Sequence, residues 1–74
     1  MSKKEKRKLK IRYDIKSVSL IDFEWLINQY GYIKAGGSHS LAIIGTRTYP
    51  YPRTKPVNQN YVKGLLEIID CEAA

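Results

Sequence analysis

The residues best suited to chemistry lie together at Gly36-Gly37-Ser38-His39, where a glycine pair leads into the only histidine of the chain. An unperturbed imidazole titrates at about 6.5, so it both takes and gives a proton near neutral pH. Gly36 and Gly37 allow left-handed backbone and close approach of a ligand to the main chain. Ser38 adds a hydroxyl that can orient the ring. Ile33 on one side and Leu41, Ile43 and Ile44 on the other make this a small polar corner in apolar surroundings. The competing reading is a solvated turn that carries a histidine by chance.

A second constellation follows at Arg47-Thr48-Tyr49-Pro50-Tyr51-Pro52-Arg53. Period-two alternation places Arg47, Tyr49, Tyr51 and, if the extension continues, Arg53 on one side. Both tyrosines precede a proline, which biases them toward extended backbone. Guanidiniums meet phosphates in bidentate fashion and phenol rings stack on splayed bases, so the stripe suits RNA. The alternative is an edge strand whose tyrosines pack on the body of the protein. Lys34 and Lys55 are further cations near these segments. No metal site is expected, because one histidine, one distant cysteine (Cys71) and scattered carboxylates give no ligand spacing.

Local sequence signals supply the elements that would hold these residues. Ser19 can cap a helix with Asp22 at its third position, and Phe23, Leu26, Ile27 and Tyr30 recur at helical spacing until Gly31, read as a left-handed cap. Trp25 lies off that face and is read as widening the core rather than anchoring a partner. Residues 32–35, 39–44 and 47–51 favour strands, with tight turns at Gly36-Gly37 and Gly45-Thr46 making two successive hairpins. Pro50 and Pro52 place the third strand at an edge. Asn58 can cap a second helix to about Asp70, in which Gly64 implies a close packing contact. The expected fold is α+β, in the order α-β-β-β-α, with a three-stranded antiparallel sheet and two helices on one face.

Seventy-four residues make one small domain, which at this size buries only about 60% of its unfolded surface. The net charge of +6 is concentrated: residues 1–12 carry seven Lys and Arg against one acid, and residues 13–74 carry six of each. Residues 1–16 are therefore read as a basic arm, disordered or extended, and 17–74 as the domain. Such an arm attracts polyanions, nucleic acid first and a membrane surface second, or merely solubilises the chain. No apolar run approaches a bilayer span and no secretory signal is present, so a soluble cytoplasmic protein without membrane contact is expected. Cys71 is read as a small apolar residue at a helix end.

The helix, Gly31-Tyr32, Gly37-Ser38-His39, the hairpin ending Tyr49-Pro50-Tyr51-Pro52 and the closing helix, about residues 19–70, together resemble the HicA toxins, small mRNA interferases of bacterial toxin–antitoxin pairs. The resemblance implies a fold like the double-stranded RNA-binding domain and metal-independent cleavage of mRNA without a small-molecule cofactor. It also implies His39 as the catalytic residue and a HicB-type antitoxin as partner. Ser40 stands where the family commonly has a second histidine, and Arg53-Thr54-Lys55 where another is often found. On these readings His39 and Ser38 are the catalytic candidates. Gly36, Gly37, Lys34, Arg47, Tyr49, Tyr51, Arg53 and Lys55 are the RNA-binding candidates. Two alternatives stand beside the nuclease: an RNA-binding module of the same fold that does not cleave, and a protein–protein adaptor using the open sheet edge.

Overall fold

Ser19 starts the first element of the expected frame as its sequence dictates. Its Oγ accepts the Asp22 N–H at 3.1 Å, and the helix runs over Leu20–Tyr30 (α2, following α1 at Lys3–Tyr13). Leu20, Phe23, Leu26 and Ile27, spaced to fall on one stripe, are its buried residues. The computed structural model describes residues 2–72.

Gly31 ends α2 differently from expectation. Its φ of −167° is not left-handed, and its N–H donates to Ile27 O at 2.8 Å. Glycine is required because a Cβ there would run into the carbonyl of Ile43. The chain can thus pass from α2 into the sheet with its backbone pressed against the neighbouring strand.

Strands β1 (Tyr32–Gly36), β2 (His39–Ile44) and β3 (Arg47–Pro52) form an antiparallel sheet in the order β1-β2-β3. Both hairpin turns use a left-handed glycine, Gly37 at φ +61° and Gly45 at φ +59°. The helix α3 (Gln59–Glu72) follows, burying Val62, Leu65, Leu66 and Ile69. Helix α2 lies against β1 and β2, and α3 against β2 and β3. Ser40, Ala42 and Ile44, the alternate residues of β2, are buried beneath them. The fold is α+β, with both helices on one sheet face and the other face open. No described helix is long and apolar enough to cross a membrane.

Gly64 has the contact that its helix-weakening cost implied. A Cβ at that position would collide with the Tyr49 hydroxyl and lie 2.9 Å from the ring carbon that bears it. Tyr49 donates that hydroxyl to the Tyr61 carbonyl at 3.2 Å. Cys71 is within the last turn of α3 but is exposed.

Residues 1–16 require correction. Lys3–Tyr13 form a helix (α1) followed by a 3₁₀ turn, Ile15–Ser17, rather than a disordered or extended arm. Ser2 caps α1 by accepting the Glu5 N–H at 3.2 Å. Only Ile11 of this helix is buried, at 4% exposure. Cations of the same helix reach the helical layer beside it. Arg7 lies 4.3 Å from the Trp25 ring centroid and pairs with Asp22 at 2.8 Å. Arg12 forks onto both carboxylate oxygens of Asp70, at 2.9 and 3.2 Å. Trp25, half-buried, is therefore core on one side and a platform for Arg7 on the other.

Candidate active site

His39 is the first residue of β2, paired across the sheet with Gly36 on one side and Pro52 on the other. Residues 40, 42 and 44 face the helices, so His39, Leu41 and Ile43 face the open side. Cross-strand partners share a face, which adds Tyr32 and Lys34 from β1 and Thr48, Pro50 and Pro52 from β3. His39 is exposed, and its Nδ1 lies 3.2 Å from Ser38 Oγ. Where Nδ1–H donates to that hydroxyl, the lone pair of Nε2 points to solvent and can accept a proton. Ser38 Oγ is thus within hydrogen-bond distance of the ring.

The two glycines divide their duties. A Cβ on Gly37 would meet nothing within 4 Å, so this turn is open to a ligand. A Cβ on Gly36 would lie 3.1 Å from the Leu41 side chain, so Gly36 is accounted for by packing. Lys34 is exposed in the middle of β1 opposite Leu41. That register makes it a diagonal neighbour of His39, a separation of about 7–8 Å between backbones. A lysine side chain spans that distance easily.

The stripe on β3 does not join this site, and its assignment to RNA is corrected. Arg47, Tyr49 and Tyr51 pair with Ile44, Ala42 and Ser40, which puts them on the helix-facing side. Tyr51 is fully buried, edge-on to Phe23 with ring centroids 4.9 Å apart. Its hydroxyl donates to Glu24 Oε2 at 2.6 Å. Burial pushes its phenol far above the ordinary value, and the Glu24 hydrogen bond adds to this. Tyr49, half-buried, is raised too, by burial first and by Tyr61 second. Neither ring is placed to stack on a base or to move a proton near neutral pH. The alternative of tyrosines packed on the body is the one realised, because the helices cover this face and an aromatic ring gains more from burial there than from solvent.

The remaining cations disperse. Arg47 lies opposite Ile44, five residues along β2 from His39, a separation of about 17 Å. Its Nε is 3.5 Å from Glu72. Arg53 follows Pro52, near His39 in register, but its Nη2 is 3.3 Å from Glu24 Oε1. Lys55 is exposed in the loop before α3, in a shallow cleft beside Leu20 and Ile21. Ser40 faces inward against Tyr51 and does not share the surface of His39.

One residue of this face was missed from sequence. Tyr32 is 59% exposed and lies beside Lys34 on the open side. Counting back two residues from Lys34 along the strand would have found it. The candidate site is thus His39 with Ser38, the open turn at Gly37, Lys34 and Tyr32. Among the described residues, no three His, Cys, Asp or Glu side chains converge to hold a metal ion. Comparison with family models, with curated proteins and with solved structures finds no match for this chain.

Proposed function

We propose that this protein is a His39-dependent endoribonuclease of the HicA type, acting on mRNA in the cytoplasm and neutralised by a HicB-type protein. The observation that carries the reading is the exposed His39 on an open sheet face, its Nδ1 3.2 Å from Ser38 Oγ, with Lys34 diagonal to it on the neighbouring strand. Nε2 takes the proton of a ribose 2′-hydroxyl, and that oxygen attacks the adjacent phosphorus. The bond from phosphorus to O5′ breaks, and O5′ takes up a proton from the imidazolium or from water. The products are a 2′,3′-cyclic phosphate and a 5′-hydroxyl. Proton transfer by a positioned imidazole contributes about 10²–10⁴-fold. The Lys34 ammonium supplies charge to the crowded, doubly negative phosphorane. Tyr32 offers a ring for an unstacked base.

The neutralising partner fits the same face. Tyr32 is exposed and Leu41 and Ile43 are half-buried beside it, giving an apolar surface a protein can cover together with the histidine.

A second reading, RNA binding without cleavage, is favoured by one observation. The chain has one histidine, and both β3 tyrosines face the helices, so neither a second imidazole nor these phenols supply an acid beside His39. Incubation with end-labelled mRNA in EDTA separates the two. Fragments with new 5′-hydroxyl ends support the nuclease, and a gel shift with intact RNA supports the binder.

A further inference from the structure

Helix α1 divides its cations between two faces. Lys4 and Lys8 lie over the Tyr30 ring, 5.7 and 4.9 Å from its centroid. Arg7 is held by Trp25 and Asp22, and Arg12 by Asp70. These four, with buried Ile11, face the helical layer. Lys3, Lys6 and Lys10 are exposed, and their ammonium groups form no ion pair or hydrogen bond among the described residues. Tyr13, 84% exposed, follows them. The spacing 3, 6, 10, 13 falls within an arc of about 80° and spans about 15 Å of helix. Asp14 and Asp22 share a cleft with Lys6 and Lys10 on the flank of α1, and Arg7 holds Asp22. The outer crest of the row carries no acid.

We propose that the row Lys3, Lys6, Lys10 and Tyr13 on the outward face of α1 is a docking rail for single-stranded RNA, separate from the His39 face. Four cations of α1 have structural work, and residues 13–74 are charge-balanced without the other three. A phosphate backbone is the complement of such a row, and a bare phenol at its end suits stacking on an unpaired base. A membrane surface fits poorly, because α1 has no outward apolar face: Ile11 is buried and Leu9 is half-buried. The choice of RNA as ligand rests on the proposed function, whereas binding to the rail does not require cleavage.

The test uses a 20-nucleotide 2′-O-methyl RNA, which lacks the attacking hydroxyl, titrated by anisotropy from 50 to 300 mM salt. Replacing all three lysines (Lys3→Gln, Lys6→Gln, Lys10→Gln) should flatten the slope of log Kd against log salt by about 2 and weaken binding roughly 100-fold at 0.1 M salt, on the basis of three phosphate contacts. Glutamine keeps helix propensity close to that of lysine, so α1 should persist by circular dichroism. Arginine at the same three positions should preserve affinity. Tyr13→Ala should weaken binding about fivefold or more. The pair Lys16→Gln and Lys63→Gln, exposed cations off the row, should change it less than twofold. Equal affinity and slope for the triple-glutamine variant and the wild type would overturn the rail. So would unchanged RNA binding accompanied by lost binding to phosphatidylserine vesicles, or to an acidic protein partner. Parallel assays on unmodified RNA keep the two proposals apart. Binding through the row without cutting would remove the His39 reading and leave the rail, while cutting with binding unaffected by the row would do the reverse.

Discussion

The hydroxyl of Tyr51 donates to Glu24 Oε2 across 2.6 Å, joining the edge strand β3 to the first turns of α2 beneath a sealed core. Glu24 also accepts from Arg53 at 3.3 Å, so one carboxylate binds both a buried phenol and the chain leaving the sheet. The inward turn of Tyr51 removes an aromatic ring from the RNA-facing candidates and makes it a structural one. Tyr51→Phe should lower stability by about 1.5–3 kcal/mol, the range for a hydrogen bond to a charged group, measured by urea denaturation. The same bond gives a pH dependence. The folded phenol is raised above the unfolded value of about 10, so its contribution is full below pH 10 and fades as pH climbs toward the higher folded value. Wild-type stability should fall more steeply than that of Tyr51→Phe above pH 10.

Gly64 gives a test in which local propensity and packing have opposite signs. Alanine in a helix interior is better than glycine by about 1 kcal/mol. Its Cβ would strike Tyr49, so Gly64→Ala should instead destabilise by about 1–3 kcal/mol. Combining it with Tyr49→Leu should show a favourable coupling in a double-mutant cycle; additive losses would mean the contact is not the cause.

Arg12 and Asp70 tie α1 to α3 at the surface. Hydrogen bonding to Arg12 holds the Asp70 carboxyl below its usual range. The pair's contribution is therefore present above the ordinary carboxylate value and is lost as pH falls through the lower folded value. Both side chains are more than a third exposed, so salt screens them. Asp70→Asn should cost about 0.2–1 kcal/mol at low salt and less at 1 M, read from thermal melts.

Ile11 is the sole buried side chain of α1. Ile11→Ala should loosen α1 while β1–β3 and α3 stay folded, so trypsin should cut faster at the lysines of residues 3–10 with the remainder protected. Loss of the whole fold in this variant would show that α1 is integral to the core rather than strapped to it.

These residues also show how far the sequence was legible. The cap at Ser19, the paired hairpin glycines and the 3.6-residue stripe in α3 are local signals, and the elements stand where they predict. Helix α1 was opaque because apolar periodicity is the usual sign of docking, and this helix adds to one buried isoleucine the ammoniums of Lys4 and Lys8 over Tyr30 and the Arg7 guanidinium over Trp25. Ser2 with Glu5 three residues on was the signal available, a start of the capping-box type. For β3, alternation identified the residues that share a side without saying which side the helices cover. Gly31 was read as a left-handed cap, yet it serves close approach to Ile43, a contact distant in sequence. The contact of His39 with Ser38 follows from adjacency at the hairpin turn, and the exposure of the ring there agrees equally with a solvated turn histidine.

Cleavage of end-labelled RNA by wild type and by His39→Ala, at equal concentration, neutral pH and in EDTA, decides whether the imidazole does the chemistry. The alanine variant, still folded and still binding RNA, should cut at least about 100-fold more slowly. Equal cutting rates by the two proteins would contradict it.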